Sequence, residues 1–203
     1  MALRSSSTHW GWVTRALHWS IAAAVLGMLA SGLYADGLDV RTVAGLERFD
    51  AVIAIHKSFG LLILMMMVVR VLWRLFERTP KLPAMVPAWE RIAACITQLL
   101  LYAGLFAMPI SGYLMAAAEG EPVRFFGIAL PRLASIPGRW AHVAHDTHHT
   151  VGYVLLALVA LHGVGALKNH CIDRNDVLRN MLGLLPESGA APRTVAPLDL
   201  ARP

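Results

Sequence analysis

The chain has 203 residues, 57% of them apolar and only 15% charged. A soluble domain carries about 25% charged residues, so there is too little charge here to cover a water-facing surface. Mean hydropathy is +0.55, which excludes a disordered chain, a disulfide-rich secreted module and an ordinary soluble enzyme, and favours a small integral membrane protein. The net charge of +5 does not point to nucleic acid, because the basic residues lie mostly between hydrophobic runs, as the positive-inside rule requires. Cys95 lies inside an apolar run and Cys171 just after one, so no disulfide is expected.

Four apolar runs follow in chain order. The first covers residues 16–35 and holds one ionisable residue, His18. It is long for a cleaved signal peptide, and a histidine at its start is atypical of one. The second covers 51–75, with His56 and Lys57 near its start and Arg70 near its end. The third, 92–118, has no charged residue, and Pro109 is expected to kink it. The fourth, 148–167, begins at His148 and contains His162. Each can cross a hydrocarbon core of ~30 Å as a helix. The expectation is an all-α, integral membrane four-helix bundle over residues 1–182, followed by a Pro/Ala-rich, disordered cytoplasmic tail over 183–203.

Four spans put both termini on one side. Ten basic residues fall there (Arg4, Arg15, Arg70, Arg74, Arg78, Lys81, Arg91, Lys168, Arg174 and Arg179) against six on the other side (Arg41, Arg48, Lys57, Arg124, Arg132 and Arg139). The termini are therefore expected to be cytoplasmic.

Ionisable groups within a bilayer are costly and usually functional, so the nine histidines need a reason. His18, His56 and His162 lie within or at the edge of a run; a fourth partner must come from His142, His145, His148 and His149. At ~100° per residue, His148 returns to within ~40° of the face of His162, whereas His149, His145 and His142 fall roughly 140°, 100° and 160° away. His148 and His162 are then ~21 Å apart along one helix, one near each membrane surface. By depth, His18 pairs with His162 and His56 with His148. Two histidines at matched depth on facing helices form an axial clamp for a haem iron, so the spacing predicts two bis-histidine haems stacked across the bilayer. A zinc site would need three or four ligands at one depth, and the cysteines do not complete one. His142, His145 and His149 read as solvated or rim residues.

The stretches RALHWSIAAAVLGMLASGL, HKSFGLLILMMMVVRVLWRL, LYAGLFAMPISGYLM and HHTVGYVLLALVALHGVGALKNHCIDRNDVLRNM resemble, in that order, the four helices of the bacterial cytochrome b561 family. The resemblance covers residues 15–182 and carries the family's haem ligands onto His18 with His162 and His56 with His148. Part of the family has a histidine four positions before the helix-3 tyrosine; Gln98 stands at that position here. The resemblance implies two haem b groups, a place in the bacterial inner membrane and electron exchange with a quinone. For one branch it implies oxidation of superoxide at the outer face and reduction of ubiquinone. Lys57 and Arg132 are the candidates for guiding such an anion, and Arg70 and Arg74 for holding inner propionates or lipid headgroups. The alternative is a non-catalytic cytochrome b subunit that relays electrons between a partner dehydrogenase or hydrogenase and the quinone pool. A haem-free metal transporter would need an acidic or cysteine-rich pathway, and none is visible.

Overall fold

The computed structural model describes residues 2–81, 85–120, 122–131 and 137–185. Arg132 and residues 186–203 of the expected tail lie outside the described residues. Four long helices form the expected membrane bundle: α1 (Trp12–Asp36), α2 (Val43–Leu75), α3 (Ala88–Ala118) and α4 (Ala141–Cys171). A short α5 (Val177–Leu182) follows at the end that carries both termini.

Every helix is longer than its apolar run. The 25, 33, 31 and 31 residues exceed the ~20 needed to cross the hydrocarbon, because hydropathy detects only the buried middle. The extra turns have local causes. Thr42 caps α2 by accepting a hydrogen bond from the Gly45 amide at 3.1 Å, so α2 gains two polar turns containing Glu47, Arg48 and Asp50. Pro87 sets the entry to α3. Helix α4 starts at Ala141, directly after a 3-10 turn over Gly138–Trp140, not at His148, so all four clustered histidines are helical. Helix α3 continues through Pro109 as one element.

The interior is thin, as expected where lipid covers most side chains. Ile21 and Val25 of α1 meet Ile63 and Met67 of α2, with Phe106, Tyr102 and Val159 packed against them. Leu26, Val69, Leu99 and Val164 face outward; in a bilayer an apolar exterior costs nothing. The helices pack as α1 on α2, α2 on α3 and α3 on α4. The last seam is close because Gly104 admits Leu155: a Cβ on Gly104 would stand 2.6 Å from Leu155 Cδ2. Helix α4 lies tightly on α3 but not on α1 or α2, and it faces those two through paired histidine rings.

The two ends are closed differently. At the terminal end, Glu77 accepts the Ser5 amide on both carboxylate oxygens, at 3.1 and 3.0 Å, and the Thr14 hydroxyl at 3.1 Å. Lys168 joins Glu90 at 2.6 Å and Asp173 at 2.9 Å. At the opposite, loop end, residues of the α3–α4 connection form a hairpin of β1 (Arg124–Phe125) and β2 (Ile128–Ala129). Its turn residues Phe126 and Gly127 have φ of 45° and 88°, the positive values that a two-residue primed turn needs. The hairpin docks on α2 through Ser58, whose hydroxyl accepts the Phe126 amide at 3.0 Å.

Candidate functional site

The four histidines paired by depth and face stand opposite one another. The rings of His18 (α1) and His162 (α4) have centroids 6.2 Å apart at 62°. Those of His56 (α2) and His148 (α4) are 6.3 Å apart at 69°. The first pair lies toward the terminal end and the second toward the loop end, ~21 Å apart along α4. His142 and His145 are exposed, and His145 stacks on His149 with centroids 4.3 Å apart. Neither His145 nor His149 meets a histidine of α1 or α2 among the described residues.

Small residues make room for the loop-end rings. A Cβ on Gly112 would lie 3.1 Å from His148 Cε1 and 3.3 Å from its Nδ1, and one on Gly32 would lie 3.5 Å from His56 Cε1. Polar groups then orient them. Ser31 donates to the Met28 carbonyl at 3.0 Å, and its oxygen sits 2.9 Å from His56 Nδ1. Ser111 donates to the Met108 carbonyl at 2.9 Å, and its oxygen sits 3.1 Å from His148 Nδ1; the Met108 carbonyl is also 3.1 Å from that nitrogen. The Met108 carbonyl can only accept, so His148 Nδ1 is the donor there and its Nε2 keeps the lone pair; Ser31 Oγ, with its proton on the Met28 carbonyl, can accept from His56 Nδ1 in the same way.

The terminal-end pair is held otherwise. Arg70 donates from Nε to the Tyr102 hydroxyl at 3.0 Å, and its terminal nitrogen stands 3.4 Å from His18 Nδ1. His162 is exposed, and its side chain makes no hydrogen bond among the described residues. Arg70 and Arg74 line a groove with Trp10, Thr14, Trp73 and Tyr102. Lys57 is half-buried between His56 and Ser58 on α2, and Arg41, Arg48, Arg124 and Arg139 are exposed at the loop end.

Residues 9–184 match the family model for prokaryotic cytochrome b561. The chain belongs to that family. It is 36% identical to cytochrome b561 homolog 2 of Escherichia coli K12 over 189 residues, 90% of this chain and 96% of the relative. It is 24% identical to cytochrome b561 homolog 1 of the same organism over 127 residues, 63% of this chain and 72% of the relative. Family membership makes the chain a b-type membrane cytochrome of electron transfer.

The residues fit the haem that the family implies. Two imidazoles binding one metal at ~2.0 Å, with centroids ~1.2 Å behind the ligating nitrogens, stand ~6.4 Å apart. Both observed separations match that span. An Nδ1 that donates to a fixed oxygen leaves Nε2 available to a metal, as is usual when a second polar shell fixes the tautomer.

Sequence reasoning passed over Ser31, Ser111 and the hairpin. The serines had a usable signal: Ser31 lies thirteen residues, ~20 Å, beyond His18, at the depth of the other pair. The hairpin had none, because its turn is Phe-Gly and not the Asn-Gly or Asp-Gly that marks a primed turn.

Proposed function

We propose that this protein holds two haem b groups, one between His18 and His162 and one between His56 and His148, and passes electrons across the bacterial inner membrane from superoxide at the loop end to ubiquinone. The observation that carries the reading is the two histidine pairs, at 6.2 and 6.3 Å, spaced along a single helix. Haem held by two histidines supplies one-electron transfer with no open coordination position.

The chain itself supplies placement, insulation and charge. Helix α4 contributes one ligand to each pair and so fixes their separation. The hairpin docks on α2 at Ser58, two residues along the chain from His56. Lys57 adjoins His56 and places positive charge where an anion would arrive, with Arg132 as a second contributor. The reaction is balanced when two superoxide ions each lose one electron to give dioxygen, and the two electrons with two protons convert ubiquinone to ubiquinol. With both termini cytoplasmic, the positive-inside count puts superoxide outside.

The test is stopped-flow reduction of the purified cytochrome by superoxide, with and without added ubiquinone. Fast reduction, followed by reoxidation only when quinone is present, is the expected result. Slow reduction, with a dehydrogenase or hydrogenase co-purifying, supports the relay subunit instead.

A further inference from the structure

The polar groups behind the two histidine pairs differ in sign. At the loop end, His148 Nδ1 donates to the Met108 carbonyl at 3.1 Å and lies 3.1 Å from Ser111 Oγ; with Nε2 given to iron, His56 Nδ1 would carry the ring proton and donate it to Ser31 Oγ, 2.9 Å away. An imidazole that gives its Nδ1 proton to an oxygen gains imidazolate character and becomes a more basic ligand. That favours the ferric state and lowers the reduction potential.

At the terminal end the neighbour of His18 Nδ1 is a guanidinium nitrogen of Arg70 at 3.4 Å. Arginine has donors and no acceptor, so in this contact it donates to Nδ1 and offers His18 no acceptor for a ring proton. His162 has no hydrogen bond among the described residues. Neither ring is made more basic, and the fixed cation disfavours the extra positive charge of ferric iron, which raises the potential. Both differences act in the same direction.

We propose that Ser31, Ser111 and Arg70 are positioning residues that set the two haems in order of potential, the loop-end one lower and the terminal-end one higher. An electron delivered at the loop end by a one-electron donor such as superoxide then moves downhill. With haem bound at both pairs, an electron passed from the His56–His148 site to the His18–His162 site would oxidise the first by one electron and reduce the second by one, with no bond formed or broken. This inference rests on the two-haem reading above.

The experiment is an anaerobic spectroscopic redox titration of the purified holoprotein, with haem content measured in parallel by pyridine haemochrome. Wild type should titrate in two steps. Ser31→Ala removes the acceptor that His56 has among the described residues and should raise the lower midpoint by about tenfold in equilibrium constant, 59 mV for one electron, with the upper step unmoved. Ser111→Ala should shift the same step less, because the Met108 carbonyl still accepts from His148. Ser31→Thr retains the hydroxyl and should restore the lower midpoint. Arg70→Gln should lower the upper step, and Arg70→Lys, which keeps the charge, should largely preserve it. Two haems per chain with the lower midpoint unmoved in Ser31→Ala overturns the proposal, as does a shift of the upper step by that variant. One haem or none in wild type overturns the two-haem reading instead.

Discussion

The imidazole of His148 on α4 lies over the bare α-carbon of Gly112 on α3, so closely that a Cβ there would come within 3.1 Å of Cε1. The glycine thus sets how near α4 brings this ring to α3, and through it the distance to His56. Gly112→Ala forces the ring to give by a few tenths of an ångström, whereas Gly112→Val cannot be accommodated without displacing it. The valine variant should lose about one haem per chain and keep the other, measured by pyridine haemochrome. Gly27→Ala is the control, because Gly27 is nine residues from His18, on the opposite face of α1, and an added Cβ meets nothing within 4 Å. Equal haem loss in both variants would show that the effect is general misfolding.

His148 is singled out from its neighbours by geometry, and substitution should show the same choice. His145 and His149 stack on each other and His142 is exposed, whereas the His148 ring faces His56 at 6.3 Å. His148→Ala should remove one haem; His145→Ala and His149→Ala should retain both. Retention of both haems in His148→Ala would mean that the loop-end clamp uses another ligand.

Helical phase made the histidine pairing legible in the sequence. A side chain fixed to α4 has a calculable direction, and a fourteen-residue separation keeps His148 and His162 on one face wherever the helix begins. That is why a start at Ala141 instead of His148 left the pairing intact. Helix ends were legible only as far as hydropathy reached, since the polar turns of α2 and α4 lie outside the hydrocarbon. Groups that act through a single hydroxyl, such as Ser31, or through a backbone carbonyl, such as that of Met108, carry no periodic signal. Their roles depend on which helices become neighbours. The hairpin was hidden because Phe126 adopts φ 45°, unusual for a bulky residue.

Ser58 ties the hairpin to α2 by accepting the Phe126 amide at 3.0 Å, while Phe126 packs against Phe59 with centroids 5.5 Å apart. Ser58→Ala leaves that amide without its acceptor, a loss of ~1–3 kcal/mol where the group is buried. Hydrogen–deuterium exchange should speed up in residues 122–131 and remain unchanged in α1. Unchanged exchange in the hairpin would show that the aromatic contact suffices to hold it.

Lys57 is the sharpest test of the proposed donor. The loop end also carries Asp36, Asp39, Glu47, Asp50, Glu119 and Asp146, so its described residues have no excess of positive charge, and attraction of an anion must depend on where the cations stand. Lys57 follows His56 directly, whereas Arg132 was selected only by its loop position and lies outside the described residues. Fixed charge steers within about a Debye length, ~10 Å at 0.1 M salt, and can alter on-rates by 10-fold or more. Lys57→Gln should therefore slow reduction by superoxide several-fold at low salt, and the difference from wild type should shrink as salt rises. Arg132→Gln should have a smaller effect, and both variants should keep their haem content. Reduction by a neutral quinol should hardly change in either. An equal loss with both donors would mean that Lys57 supports the haem pocket and does not guide substrate.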